Sequence, residues 1–226
     1  MTSAKPVDPR ALLRTAKAVC FDVDSTVILD EGIDVLAAFA GVGAQVAALT
    51  ASAMGGNVPF EIALAKRLDI IRPTAESLAA CLAAHPPRIT PGMDTVIQRL
   101  MARGTHVWLV SGGFRQMIEP VADRVGVPRD RIIANVIRFN ANGSFADFDP
   151  AQPTSRSGGK AKALADLKQR FAYAPLLMVG DGATDLEARP PADAFIGFGG
   201  VVVREKVKAG ADWFATSAQE LLDALA

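Results

Sequence analysis

Asp22 and Asp24, in "FDVDST", stand two residues apart at the end of the apolar run Ala18-Val19-Cys20. In an extended chain residues i and i+2 project to the same side, so both carboxylates face one space. Like charges that close raise each other's pKa, which suits a pair with divided labour. Three further polar groups bear on that pair: Ser111-Gly112-Gly113, then Gly180-Asp181-Gly182 with Asp185, and Lys160 in "SGGKAKALADL". Acids gathered in this way call for a cation. Hard oxygen ligands open to water suit Mg²⁺, with Asp22 and Asp181 as its natural ligands. The N–H groups of residues 111–113, read as opening a helix, suit an anion, and the glycines let it come close. Lys160 sits at a helix start, where the helix dipole disfavours a cation, so it reads as serving an anion. Asp22 can then attack phosphorus to form an aspartyl-phosphate. Asp24 can protonate the leaving alcohol and afterwards deprotonate the attacking water.

These residues need a scaffold that brings them together. Five β-branched or aromatic-rich runs, at residues 18–23, 106–110, 176–179, 194–198 and 212–215, read as buried strands. Helical patterns lie between them, at 92–103, 114–125, 160–171, 203–209 and 218–225. Near-continuous apolar strands alternating with helices predict an α/β fold, a doubly wound, Rossmann-like parallel sheet covered on both faces. In such a sheet all strand C-termini share one edge, and ligands bind outside it. Any one of the polar residues above also reads as a helix cap or turn residue. Their recurrence after successive strands favours a shared site.

Two intervals break the alternation. Residues 29–85 hold only helix-like segments, near 33–40, 45–54, 60–70 and 74–84, and Pro86-Pro87 closes them. This predicts a small helical cap inserted after the first strand, with residues 1–28 and 86–226 forming the core. "VIRFNANGSFADF" predicts a short β-hairpin insert turning at Asn142-Gly143.

Composition narrows the function classes. The 226 residues are half apolar, and 24 basic residues balance 24 acidic ones, so no nucleic-acid footprint is expected. Two cysteines, Cys20 and Cys81, argue for a reducing compartment over a disulfide framework. The N-terminus lacks a signal-peptide core. The uncharged stretch 35–60 is Ala/Gly-rich and reads as packed helices, not a membrane span. A soluble, cytoplasmic protein is expected. A P-loop is excluded by Thr154 and Ala161, and a dinucleotide turn by Asp185 in place of its third glycine. A Cys-x5-Arg phosphatase loop finds no match.

Together "DVDST", "SGG", "GGK" and "GDGATD" resemble the four motifs of the haloacid dehalogenase superfamily. With "AMGGNVPFEIALAKRLDII" and "PPADAFIGFGG", the likeness from about residue 18 onward is to its phosphoserine phosphatase family. The resemblance implies an Mg²⁺-dependent hydrolase of O-phospho-L-serine, the last step of serine biosynthesis, acting as monomer or homodimer without nucleic-acid or membrane partners. It implies that Asp22 is the nucleophile and Asp24 the acid/base. Mg²⁺ would lie on Asp22, Asp181 and the Asp24 carbonyl, with Asp185 in support. Ser111, Gly112, Gly113 and Lys160 would take the phosphoryl group. Glu31 would meet the substrate ammonium, Arg67 its carboxylate, Met54 and Gly55 would line the serine, and Thr184 would stand at the edge. An anion and a cation held apart are also what a zwitterion requires. Val201 departs from the pattern, where asparagine is expected.

Two other readings stay open on the residues alone. One is a phosphatase or phosphotransferase for another small phosphomonoester. The other is a receiver domain phosphorylated on aspartate, against which Asp24 and the helical insert both argue.

Overall fold

The computed structural model describes residues 8–53 and 58–226, with main chain alone at 51–53. Its centre is a six-stranded parallel sheet in the order β3-β2-β1-β6-β7-β8. The strands are β1 (Ala18–Phe21), β2 (His106–Phe114), β3 (Ile132–Asn135), β6 (Leu176–Gly180), β7 (Ala194–Phe198) and β8 (Trp213–Ala215). All four β1 side chains are buried, as expected where helices cover both faces. Strand β1 pairs with β2 and β6, Phe21 lying opposite Leu109 on one side and Val179 on the other. The chain first builds leftward from β1 and then returns to its right, so the order reverses between β1 and β6. Asp22 follows Phe21 directly, and its N–H still donates to the Val179 carbonyl at 2.9 Å. Asp181 follows β6. The two acids thus emerge side by side at the switch point where such sheets bind ligands.

Helices α1 (Pro9–Thr15), α6 (Met93–Ala102), α7 (Arg115–Val125) and α11 (Ala218–Ala224) contribute to one apolar layer. Helices α8 (Gly159–Phe171) and α10 (Glu205–Gly210) contribute to the other, and α9 (Ala183–Leu186) follows β6. The main core holds Val19, Phe21, Val107, Leu109, Leu177, Val179 and Ile196, all fully buried.

Between β1 and α6 the described residues contain α2 (Gly32–Phe39), α3 (Gly43–Ala53), α4 (Phe60–Ile71) and α5 (Ala75–Ala84). Thr74 starts α5 with a capping box, accepting from Ser77 N–H at 3.0 Å. These helices build their own cluster from Leu36, Val46, Leu64, Leu68, Leu78 and Cys81. The hairpin β4 (Ile137–Phe139) and β5 (Phe145–Phe148) adds Ile137, Phe139, Phe145 and Phe148 to that same cluster. It therefore packs with the inserted helices, and Phe114 at the end of β2 joins the same cluster. The insert also meets the loop before α8, where Ser157 Oγ accepts from Phe60 N–H at 3.2 Å. No described helix is long and apolar enough to cross a membrane. The stretch 35–60 supplies parts of α2 and α3, the packed helices expected there.

Three expectations are corrected. A sixth strand, β3, was not read, because "IIAN" abuts the hairpin run and the two merge into one apolar segment. Helix α1, capped by Asp8 accepting from Arg10 N–H at 3.0 Å, lies in a stretch with no predicted element. The segment 111–113 continues β2 and does not open a helix; α7 begins only at Arg115.

Phe21 carries the apolar layer to the residue before Asp22 and is fully buried. Phe21→Ala is expected to lower the unfolding free energy by about 3–5 kcal/mol, read from urea denaturation. A loss below about 1 kcal/mol would contradict its central place in the core.

Candidate active site

After β1 the chain enters a tight π-type turn, Val23–Val27. Asp22 Oδ1 accepts from the Val23 N–H at 2.7 Å, which fixes the carboxylate at the strand mouth. Asp24 Oδ1 accepts from the Gly32 N–H at 2.8 Å, in the first turn of α2. Burial, then the charges of Glu31 and Asp22, push the Asp24 carboxyl up to about 8, against the pull of Gly32 N–H and Lys160. That makes Asp24 the member of the pair fitted to carry a proton. Gly113 faces it: a Cβ there would lie 2.7 Å from Asp24 Oδ2, so the close approach requires glycine.

Lys160, in the first turn of α8, is almost wholly buried. Its Nζ lies 2.9 Å from Asp22 Oδ1 and 2.6 Å from Asp185 Oδ1. Burial opposes the ammonium charge, but Asp185 and Asp22 outweigh it and hold its pKa above that of an ordinary lysine. Asp185 turns its other oxygen to the Gly182 N–H, at 2.9 Å. Burial, with the Asp22 charge behind it, pushes the Asp185 carboxyl up, and Lys160 pulls it back.

Asp22, Asp181 and Asp185 each offer an oxygen within 4.8 Å of the others, and all three are buried. Three carboxylates at such spacing form a hard-oxygen donor set that fits Mg²⁺ in chemistry. Asp181 is also held by Thr26 Oγ1, at 3.1 Å from its Oδ1, and by Arg204 Nε, at 2.9 Å from its Oδ2. Burial and Asp22 raise its pKa, while Arg204 and Thr26 lower it.

The cluster opens into a cavity of about 160 Å³. Of the sequence-predicted residues, Asp22, Asp24, Glu31, Arg67, Ser111, Gly112, Gly113, Lys160, Asp181 and Thr184 all line it. Asp185 lies behind them, reaching the cavity through Lys160. Met54 and Gly55 fall outside the described residues. Glu31, at the start of α2, and Arg67, on α4, bring opposite charges from the inserted helices. Burial lowers the Arg67 pKa, opposed by Asp34, Glu31 and Asp24. Its Nε donates to the Ala63 carbonyl at 3.2 Å, and its guanidinium has no ion pair among the described residues. Burial raises the Glu31 pKa, opposed first by a hydrogen bond from Ser25.

The segment 111–113 departs from expectation in its hydrogen bonding as well. Gly113 N–H donates to Ser111 Oγ at 2.9 Å, so that N–H is occupied and the serine hydroxyl hydrogen is left for an anion. Asn135, at the end of β3, donates to the Gly112 carbonyl at 2.7 Å and fixes the loop. Asn135 and Arg204 escaped the sequence reading. Arg204 carried a signal, since it opens α10 as Lys160 opens α8, a cation against the dipole. An asparagine closing an apolar run would have marked Asn135. Val201 is partly buried against the main core.

Residues 16–193 match the haloacid dehalogenase-like hydrolase family. A phosphoserine phosphatase of Bos taurus is 52% identical over 216 residues, covering 96% of each chain. Among solved structures, DsGPDH of Dunaliella salina superposes with TM-score 0.85 at 34% identity; the match covers 98% of this chain and 38% of that one. A phospho-aspartyl intermediate analogue of phosphoserine phosphatase superposes with TM-score 0.80 at 27% identity, covering 93% of this chain and 99% of that one. Agreement over this length, in sequence and in backbone, means that the chain belongs to the haloacid dehalogenase-like hydrolases and, within them, to the phosphoserine phosphatase family.

Proposed function

We propose that the protein hydrolyses O-phospho-L-serine to L-serine and phosphate, as an Mg²⁺-dependent enzyme working through an aspartyl-phosphate. The observation that carries this reading is one cavity lined by the Asp22–Lys160 pair at its floor and by Glu31 and Arg67 from the inserted helices. A phosphate needs the first set and a zwitterionic amino acid the second.

In this mechanism Lys160 and the Ser111 hydroxyl receive the phosphoryl oxygens. Arg67 takes the substrate carboxylate and Glu31 its ammonium, which orients the ester oxygen toward Asp24. Asp22 attacks phosphorus in line while Asp24, protonated, gives its proton to the departing serine oxygen. Asp24 then takes a proton from water, which attacks the phosphorus of the Asp22 ester and frees both carboxylate and phosphate. Asp22, Asp181 and the Asp24 carbonyl would hold Mg²⁺, supported by Asp185; the ion supplies neutralisation of phosphoryl charge. The helical segment 29–85 acts as a cap that excludes bulk water from the ester. Free, buried Cys20 and Cys81 support a cytoplasmic setting. Small-molecule substrate, and no nucleic acid or membrane, completes the reading, as monomer or homodimer.

The direct test is phosphate release across a panel of phosphomonoesters, with preference for O-phospho-L-serine expected and preference for phosphocholine or a sugar phosphate contradicting it. Asp22→Asn is expected to lower kcat by at least about 10³-fold; turnover near that of the wild type would remove Asp22 as nucleophile. Arg67→Ala loses a charge-assisted contact and is expected to raise KM for phosphoserine about 10–100-fold with a smaller change in kcat. An unchanged KM would displace Arg67 from the substrate carboxylate. Chelation by EDTA should abolish turnover and added Mg²⁺ restore it, whereas full activity in chelator would contradict the metal assignment.

A further inference from the structure

Ser25 lies in the turn between Asp24 and Glu31 with φ 51° and ψ 14°, a left-handed conformation that a side chain disfavours. Glycine would adopt it freely. A serine that is only 2% exposed there points to work done by its hydroxyl. That hydroxyl donates to Glu31 Oε1 at 2.7 Å, and the Ser25 N–H donates to the Asp30 carbonyl at 3.1 Å. Both ends of the residue therefore tie to the segment that carries Glu31. The same Oε1 lies 3.6 Å from the Arg204 guanidinium, which also pairs with Asp181. Glu31 Oε2 has no hydrogen-bond partner among the described residues. One oxygen is clamped and the other is left to the cavity.

We propose that Ser25 is a positioning residue for Glu31, and through it sets the preference for phosphomonoesters that carry an ammonium group. This rests on the reading in which Glu31 meets the substrate ammonium. Without the Ser25 hydroxyl the flexible glutamate loses its fixed rotamer, and Arg204 draws it toward the acid cluster and away from the ligand. Orientation of the ammonium then has to be restored on each binding event.

The test compares kcat and KM for O-phospho-L-serine and for its deaminated analogue, 3-phosphonooxypropionate. It uses wild type, Ser25→Gly, Glu31→Gln and the double variant. Ser25→Gly suits the left-handed turn and should keep the wild-type Tm. It is expected to raise KM for phosphoserine about tenfold through lost orientation, with kcat within about twofold. KM for the analogue should hold, and Ser25→Gly should add nothing in the Glu31→Gln background. Ser25→Ala, which keeps Cβ, should show the same split between substrates. An unchanged KM, an equal rise for both substrates, or additivity with Glu31→Gln would overturn the proposal. If the wild type itself did not prefer phosphoserine to the analogue, the substrate reading would fail and this proposal with it. If that preference stands and Ser25→Gly retains it, the proposal alone fails.

Discussion

Asp22, Asp181 and Asp185 bring oxygens within 4.8 Å of one another in a place shielded from water. Desolvating one such charge costs several kcal/mol, and repulsion between neighbours adds to it. Lys160 sits between Asp22 and Asp185, and Arg204 takes Asp181. Two fixed cations against three carboxylates leave a net negative charge, which a bound divalent ion would more than offset. The same arithmetic explains why Asp24, with Glu31 and Asp22 nearby, is pushed toward its protonated form. The raised pKa of Asp24 is thus a consequence of burial first and of neighbouring negative charge second.

Such crowding needs rigid support. Main-chain N–H groups of Val23, Gly32 and Gly182 hold Asp22, Asp24 and Asp185, and the Thr26 hydroxyl holds Asp181. Each donor lies on the loop or first turn that follows β1 or β6, so sheet register fixes the acids relative to one another. The inserted segment adds two further charges to the cavity lining, Glu31 and Arg67. The segment's apolar cluster is shared with the hairpin, whose turn meets α5 where Ala75 N–H donates to the Gly143 carbonyl at 2.9 Å. The hairpin, distant in sequence, thereby braces the layer that carries Arg67.

The acids and Lys160 were legible in the sequence because each breaks a local rule. Asp22 and Asp24 repel, and Lys160 opposes a helix dipole; both violations have the same resolution in space. Glu31 and Arg67 break no rule, since a glutamate before a helix and an arginine on one are ordinary, so only the resemblance marked them. β3 was hidden by its adjacency to the hairpin, where apolar periodicity alone gives no boundary. The segment 111–113 was misread because glycines after a strand suggest a helix start, whereas pairing across β2 and β3 carries the strand on to Phe114. Ser25 was invisible for a different reason: its backbone conformation and its bond to Glu31 exist only in three dimensions.

The central claim is that this charge cluster makes Asp22 the residue that becomes transiently phosphorylated. Rapid quenching of a turnover mixture, followed by borohydride reduction and peptide mass spectrometry, reads it directly, because an acyl phosphate reduces to the alcohol. The account predicts homoserine at position 22 in the turnover mixture and none when the phosphomonoester is omitted. Homoserine at Asp24, Asp181 or Asp185, or steady phosphate release under conditions that trap acyl phosphates with position 22 unmodified, would contradict it.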